Sequence, residues 1–353
     1  MKNRLAYLTQ RHDFDEIIDV RTPLEYSIDA IPGAINLPVL SNEERILVGT
    51  RYRQAPFDAT RLGAAWVAKN IAYHLETSLA ERPAHWRPLI YCWRGGKRSA
   101  AMTEWLNLIG WKARQLEGGY KGYRRWVMAQ LDVLPRHYRF LVVRGDTGSG
   151  KTRLLRAFSE LGAQVLDLEA LACHRGSVLG ALPGQRQPTQ KFFDSQFVAK
   201  LSQFDVEQPV LIEDESRRIG TIHLPLSLMQ AMGTAECIEV HALLHDRIAL
   251  LEEEYAHLFD DIPYFKQRLQ RLIPLHSKAR IQHWLTLLEA GEKHALFREL
   301  IIQHYDPAYR KSTRPLDQAR RLVLRCIVQP DSPIKQQAHG WLKQLGIHAV
   351  PIK

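Results

Sequence analysis

Cysteine is scarce in this chain: four of its 353 residues are cysteines, and they lie far apart. They form no CxxC pair, so the sequence indicates neither a zinc site nor a disulfide framework. Long apolar runs are missing too, and without a stretch of about 18 apolar residues we expect no membrane span. The N-terminus lacks the apolar core of a signal peptide. These absences favour a cytoplasmic protein, because a reducing compartment keeps thiols free.

Acidic residues are few in the last quarter of the chain. Residues 266–353 hold 16 Lys and Arg against 6 Asp and Glu, whereas residues 136–265 hold 13 against 18. The net charge of the whole chain is +10. A basic segment of this kind fits a partner with a phosphate backbone. The alternative is a solvated helical surface that happens to be basic.

One cysteine, Cys92, follows a short apolar run and precedes a helical pattern that begins at Ser99. Three cations and two glycines lie within six residues of it: Arg94, Gly95, Gly96, Lys97 and Arg98. A thiol in a cationic loop at a helix N-terminus should have a lowered pKa. The glycines let backbone N–H groups point inward, where they would hold an anion. This predicts a catalytic cysteine that handles an anionic substrate; the alternative is a small buried thiol behind a turn.

Residues 12–130 alternate short apolar strands with helical stretches. Strands are predicted at 17–20 and 89–92, and helices at 64–79 and 99–108. This alternation is typical of a parallel α/β sheet, in which ligands bind beyond the C-terminal ends of the strands. Cys92 falls at such an end.

Four segments of this region, in their order, resemble a rhodanese domain: Asp19-Val20-Arg21-Thr22-Pro23-Leu24-Glu25-Tyr26, Ile31-Pro32-Gly33-Ala34-Ile35-Asn36-Leu37-Pro38, the Cys92 loop, and Leu116-Glu117-Gly118-Gly119-Tyr120. The resemblance implies that Cys92 carries a sulfur-group atom. Two departures stand out. Ala30 replaces a frequent His, and the Cys-x5-Arg spacing from Cys92 to Arg98 matches rhodanese-like phosphatases. The longer loop favours a donor with a phosphate-sized group over thiosulfate.

A second motif begins directly after an apolar strand predicted at 139–144. Its residues fit the G-x-x-x-x-G-K-[ST] pattern and lead into a helix predicted at 153–161: Gly145, Gly148, Ser149, Gly150, Lys151 and Thr152. This strand-loop-helix context confirms a phosphate-binding loop (P-loop). Its N–H groups would surround phosphate oxygens, Lys151 would add a charge, and Thr152 could ligate Mg²⁺.

An acidic pair, Glu213 and Asp214, ends another apolar run. Such residues hold a metal ion or its water in P-loop proteins, although a capping acidic turn is the alternative. From residue 263 the pattern turns helical, with basic residues between apolar stripes. The stretch from Tyr305 to Arg310 interrupts the helices, either to stack on a base or because a helix ends there.

Taken together, these motifs in this order resemble the tRNA 2-selenouridine synthase family over nearly the whole chain. The resemblance implies an enzyme that converts 2-thiouridine at the wobble position of tRNAs, such as those for Lys, Glu and Gln, into 2-selenouridine. It implies selenophosphate and geranyl diphosphate as substrates and an S-geranylated intermediate. Cys92 would carry the selenium, with Arg94 to Ser99 holding the phosphate of the donor. The P-loop would bind the diphosphate, with Mg²⁺ as its one candidate cofactor.

The fold predicted from these segments has three parts: a rhodanese-like parallel-sheet domain at 1–132, a P-loop α/β domain at 136–262 and a basic helical segment at 263–353 that contacts tRNA. We expect a monomer that does not bind membranes. Two other functions remain open. One is an ATP-dependent rhodanese-type tRNA sulfurtransferase or a kinase. The other is a rhodanese-like phosphatase or an RNA-binding module in which Cys92 only binds phosphate.

Overall fold

The computed structural model describes residues 4–177, 179–309, 321–328 and 332–348. The chain divides into two compact units. Unit 1 comprises Met1–Gln130 and Lys191–Ala199, and unit 2 comprises Leu131–Gln190 and Lys200–Lys353. Within the described ranges, no helix is both long enough and apolar enough to cross a membrane.

Unit 1 contains a five-stranded sheet whose paired strands are all parallel, in the order β1-β5-β4-β2-β3. Its strands are β1 (Leu5–Ala6), β2 (Glu16–Asp19), β3 (Ile35–Asn36), β4 (Pro88–Tyr91) and β5 (Arg114–Leu116). Its helices are α1 (Pro23–Ile28), α2 (Asn42–Tyr52), α3 (Pro56–Glu76), α4 (Lys97–Ile109) and α5 (Gly119–Val133), the last of which ends in unit 2. The strands and helices expected around Cys92 are therefore present, with α4 beginning two residues earlier than expected.

Local sequence explains where several of these helices begin and end. Thr22 caps α1, accepting a hydrogen bond from the Glu25 N–H while the Glu25 carboxylate accepts one from the Thr22 N–H. The same reciprocal capping box opens α2. Gly110 ends α4 in the left-handed conformation, with φ of +110°. Ile18, Ile90 and other fully buried side chains form the core beneath.

Unit 2 contains a second parallel sheet, in the order β12-β11-β6-β8-β7. Its strands are β6 (Phe140–Arg144), β7 (Gln164–Leu166), β8 (Val210–Glu213), β11 (Glu236–His241) and β12 (Leu322–Ile327), and a small antiparallel hairpin is made by β9 (Arg218–Ile219) and β10 (Ile222–His223). The helices up to residue 254 are α6 (Lys151–Glu160), α7 (Leu168–Ala172), α8 (Gln190–Leu201), α9 (Leu226–Gly233) and α10 (Leu244–Glu254). The middle of α8 belongs to unit 1.

The C-terminal region is helical, as expected. It contains α11 (Ile262–Gln270), α12 (Lys278–Glu289), α13 (Lys293–Leu300), a π-helical turn (Ile301–Tyr305) and α14 (Ile334–Gln344). It also supplies a strand that the sequence did not predict, because β12 pairs with β11 at the edge of the sheet. Cys326 on β12 and Leu342 on α14 are fully buried in the same core as α6. The last part of the chain therefore completes the fold of the P-loop region.

Candidate functional site

Cys92 follows β4 directly and is almost completely buried, with 3% of its surface exposed. Its sulfur accepts hydrogen bonds from the Gly96 N–H, at 3.3 Å, and from the Ser99 hydroxyl, at 3.1 Å. Gln115, on the neighbouring strand β5, donates to the Ser99 oxygen at 2.8 Å. The sulfur also lies 3.8 Å from the Gly96 carbonyl oxygen, to which the thiol donates. The loop thus holds the thiol in one orientation at the C-terminal edge of the sheet.

The backbone that follows β5 supports the Cys92 loop from behind. The N–H groups of Tyr120 and Lys121 donate to the carbonyl oxygens of Cys92 and Trp93, each at 2.9 Å. Gly119 makes this approach possible, because a Cβ atom there would lie against the Cys92 oxygen and 2.5 Å from the Gly95 nitrogen. Gly119, the second glycine of the Leu116–Tyr120 motif, is therefore a steric requirement of the thiol loop.

The three cations of the loop have different surroundings. Arg98 donates to Glu25 at 2.8 Å, so it joins the start of α4 to α1. Burial raises the pKa of Glu25, but the hydrogen bonds and charge of Arg98 outweigh it and bring that pKa below its usual value. Arg94 and Lys97 are exposed, and neither has a carboxylate partner among the described residues. These two cations are available to an incoming anion, whereas Arg98 is already paired.

The P-loop joins β6 to α6. Four of the six residues predicted to bind diphosphate lie between the two elements, and Lys151 and Thr152 begin α6. Gly148 and Gly150 take left-handed conformations, with φ of +78° and +86°, which side chains rarely adopt. The Lys151 ammonium donates to the carbonyl oxygens of Gly145, at 2.8 Å, and Asp146, at 3.2 Å. The lysine is thereby held across the loop in which a phosphate group would bind.

Carboxylates face the P-loop at the C-terminal ends of β7 and β8. Glu213 accepts from the Thr152 hydroxyl at 3.1 Å and lies 3.7 Å from the Lys151 nitrogen. Oxygens of Glu169, Glu213 and Glu215 all lie within 4.8 Å of one another. Burial and mutual repulsion raise the pKa of Glu169 to about 9 and that of Glu215 to about 8.

Burial also raises the pKa of Glu213. The cluster could hold a divalent cation, since carboxylate oxygens at this spacing suit Mg²⁺. Asp214, which the sequence also suggested, is not in the cluster; its N–H donates to the Val143 carbonyl and extends the sheet.

A cavity of about 610 Å³ opens beside the P-loop and the carboxylates. Part of its wall is apolar or aromatic: Met229, Leu250, Leu251, Tyr255 and Tyr305. Tyr305 is 7% exposed, and the backbone stays helical through residue 309. The predicted interruption of the helices is therefore wrong for residues 305–309, whereas stacking of this stretch on a base stays a prediction; Arg310 lies outside the described residues.

Sequence reasoning missed several residues of the P-loop site. Glu169 and Glu215 could have been found, because Glu169 follows β7, Glu215 follows β8, and the ends of adjacent parallel strands meet. Tyr309, whose hydroxyl accepts from the Gly145 N–H at 3.0 Å, lies in the stretch from Tyr305 to Arg310, which gave no signal of a contact with the P-loop. Neither did Arg247, which donates to the Thr147 carbonyl at 2.8 Å. Both lie on elements distant in sequence from the loop.

Comparison with known proteins identifies the two motifs independently. Residues 4–125 match the rhodanese-like domain family, and residues 138–264 match the tRNA 2-selenouridine synthase AAA domain family. A protein of Nitrosomonas europaea named tRNA 2-selenouridine synthase is 40% identical over 68% of this chain and 63% of its own length. Proteins of the same name from Nitrosomonas eutropha and Chromohalobacter salexigens are 38% and 33% identical. The matches cover 76% and 83% of this chain, and 70% and 87% of those proteins. The chain therefore belongs to the tRNA 2-selenouridine synthase family.

Proposed function

We propose that this protein is a transferase that converts 2-thiouridine at the tRNA wobble position, in tRNAs such as those for Lys, Glu and Gln, into 2-selenouridine through an S-geranylated intermediate. The observation that carries the proposal is the presence of two anion sites in one chain. One is a thiol flanked by two exposed cations, and the other is a P-loop beside a cavity whose wall is partly apolar. A selenophosphate donor fits the first site, and geranyl diphosphate fits the second.

The P-loop site would carry out geranylation. The sulfur of 2-thiouridine attacks the first carbon of the geranyl group, and the bond from that carbon to oxygen breaks with its electron pair on diphosphate. The N–H groups of the loop and Lys151 stabilise the charge on this leaving group. The apolar wall of the cavity accommodates the chain. Thr152 and Glu213 would hold Mg²⁺, which would neutralise further diphosphate charge when bound.

The Cys92 site would supply selenium. Arg94, Lys97 and the Gly95 amide hold the phosphate of the donor, while the Gly96 N–H orients the sulfur and the thiolate attacks selenium. The S–Se bond forms, the Se–P bond breaks, and its electron pair leaves with phosphorus. Geranylation has by then made C2 of the base reactive. A geranylthiolate is a better leaving group than the doubly bonded sulfur of the thione, which would have to leave as sulfide. Selenium attacks C2, and a thiol reductant then cleaves the S–Se bond.

Mass analysis of wobble nucleosides tests the overall proposal. The protein is incubated with thiolated tRNA, geranyl diphosphate, selenophosphate and a thiol reductant. We expect S-geranyl-2-thiouridine when selenophosphate is omitted and 2-selenouridine when it is present. Unchanged 2-thiouridine in the complete mixture would contradict the proposal. Turnover of added ATP in proportion to product would favour the sulfurtransferase instead.

Two substitutions separate the two sites. Cys92→Ser should abolish selenation and leave geranylation intact, because sulfur attack on geranyl diphosphate does not use this thiol. Lys151→Ala should stop geranylation first, and selenation should fail only as a consequence. The phosphorus product, read by ³¹P NMR, tests the S–Se bond: phosphite supports it, whereas orthophosphate alone would mean that selenium reaches C2 without bonding to Cys92.

A further inference from the structure

Trp93 is an exposed indole directly beside a buried nucleophile. The side chain is 39% exposed, although Cys92 before it is 3% exposed. A small inorganic donor such as selenophosphate has no use for an aromatic surface. An indole next to a reactive atom offers an aromatic face to a partner that has an aromatic or apolar face of its own.

The ring of Trp93 is the outermost layer of a fixed stack. Its ring centroid lies 5.3 Å from that of Tyr120, with the planes tilted by 32°. The Arg21 guanidinium lies over the Tyr120 ring, 4.0 Å from its centroid. Arg21 in turn pairs with Asp19, at 2.6 Å, and both are fully buried. The exposed indole thus contacts a buried phenol, and the phenol contacts a buried guanidinium.

Hydrogen bonds hold each layer in place. The Tyr120 hydroxyl donates to Asp29 at 2.8 Å, and the Arg21 guanidinium donates to the Asp29 carbonyl at 2.6 Å. The Lys121 N–H donates to the carbonyl of Trp93 at 2.9 Å. Among the described residues, Tyr120 is the one ring that contacts Trp93. The other face of the indole has no aromatic neighbour there.

We propose that Trp93 is a stacking platform for the unpaired wobble base of the RNA substrate while that base receives selenium at Cys92. The inference rests on the proposed function and adds a base-binding residue to it. An unstacked base offers a π-face that an aromatic side chain binds whatever the base, and the rigid layers beneath Trp93 reduce the entropy lost on binding. The platform places the pyrimidine ring next to the loop that holds the sulfur.

The test measures binding of a labelled anticodon stem–loop by fluorescence anisotropy. One RNA carries 2-thiouridine at the wobble position, and the second is abasic there. The protein variants are Trp93→Leu, which keeps apolar volume without a π-face, and Trp93→Phe, which keeps the π-face. Trp105→Leu is the matched control, because Trp105 is also exposed, at 45%, and lies on α4 of the same unit.

We expect Trp93→Leu to raise the Kd for the thiouridine RNA about tenfold, Trp93→Phe to restore most of the loss, and Trp105→Leu to match the unsubstituted protein. Removing the wobble base from the RNA should raise the Kd of the unsubstituted protein by about the same factor. The two losses should not add, because both remove the same contact. The loss should persist at high salt, since stacking involves no counterion release.

Additive losses would overturn the platform, as would a Trp93→Leu variant that binds like Trp105→Leu. If the unsubstituted protein binds the stem–loop no better than a hairpin of unrelated sequence, the proposed function fails at that point. A platform failure leaves binding by the unsubstituted protein intact, so the two failures are distinguishable.

Discussion

At the scale of single residues, Gly119 has the most demanding position near the thiol. Its φ is +53°, and a Cβ atom would lie 2.5 Å from the Gly95 nitrogen. Gly119→Ala should therefore push the Cys92 loop away from β5 and lower the selenation rate roughly 100-fold, the usual cost of displacing a reacting group by about 1 Å. The rate of 2-selenouridine formation, measured with saturating tRNA, checks this.

The matched control for this substitution is Gly33→Ala. Gly33 also has a left-handed φ, of +81°, but a Cβ atom there would meet nothing within 4 Å. It should cost about 1 kcal/mol of stability through backbone strain and leave the selenation rate close to normal. Equal loss of activity in both variants would show that strain, and not contact with the thiol loop, explains the effect.

The buried carboxyls beside the P-loop make stability depend on pH. Glu169 and Glu215, with pKa values of about 9 and about 8, bind protons in the folded chain that they release near pH 4.5 when unfolded. The folded state then holds more protons, so the free energy of unfolding should fall as pH rises from 5 to 9. The slope is about 1.4 kcal/mol per pH unit for each carboxyl that stays protonated. Thermal unfolding at several pH values measures this slope.

Glu169→Gln, which resembles the protonated form, should flatten the dependence of stability on pH; an unchanged slope would contradict the assignment.

At the scale of elements, the sequence predicted the parts of each site whose signal is local. The run around Cys92 and the run from Gly145 to Thr152 each join a strand to a helix, and both are found there. The pairing of Arg98 with Glu25 and the packing of β12 against β11 could not be predicted. Those contacts join residues dozens of positions apart, and a single sequence carries no periodic or turn signal for them.

The segment after α13 supports the P-loop through an ion pair with Arg247, which also lies 3.6 Å from the Asp146 carboxylate of the loop. Arg247 on α10 donates to the Thr147 carbonyl and pairs with Asp306, at 2.5 Å and 3.2 Å. Asp306→Asn would leave the buried guanidinium without its main counter-charge. We expect a loss of about 3 kcal/mol in the free energy of unfolding and a higher KM for geranyl diphosphate, because the loop carbonyl loses its fixed donor.

Chemical denaturation and geranylation kinetics measure the two effects of Asp306→Asn. Glu289→Gln is the control, because Glu289 pairs with Lys266 on an exposed surface. Such surface pairs contribute less than about 1 kcal/mol. If both variants lose the same stability, the Asp306 pair is not a special support of the P-loop.

At the scale of the whole molecule, the compact units do not follow the order of the chain. The rhodanese-like match ends at residue 125, yet unit 1 also contains Lys191–Ala199. Within that unit, Ser195 donates to Asp29 at 3.1 Å, and Asp194 pairs with Arg124. Sequence reasoning assigns contiguous domains, so it could not place a short segment of the later chain there. The division at 1–132, 136–262 and 263–353 stays a prediction.

This composition predicts that residues 1–130 alone form a weakened unit, although they contain all five strands of the sheet. Without Ser195, the buried Asp29 carboxylate keeps the Tyr120 hydroxyl as its donor but loses the other, and Arg124 loses its carboxylate. A hydrogen bond to a charged group contributes about 1.5–3 kcal/mol. Amide hydrogen exchange in β2 and β4 should therefore be at least about tenfold faster in the fragment than in the full chain, since each 1.4 kcal/mol changes protection tenfold.

A peptide that spans residues 186–204, added to the fragment, should restore part of the protection, because it returns both partners. Ser195→Ala in the full chain isolates the single hydrogen bond and should lose about 1 kcal/mol. Equal exchange in fragment and full chain would show that the segment adds nothing to the unit.

The Tyr120 hydroxyl bonds to the same Asp29 carboxylate, so loss of this segment should also loosen the ring beneath Trp93. On the proposed mechanism, the fragment should then load selenium on Cys92 more slowly than the full chain.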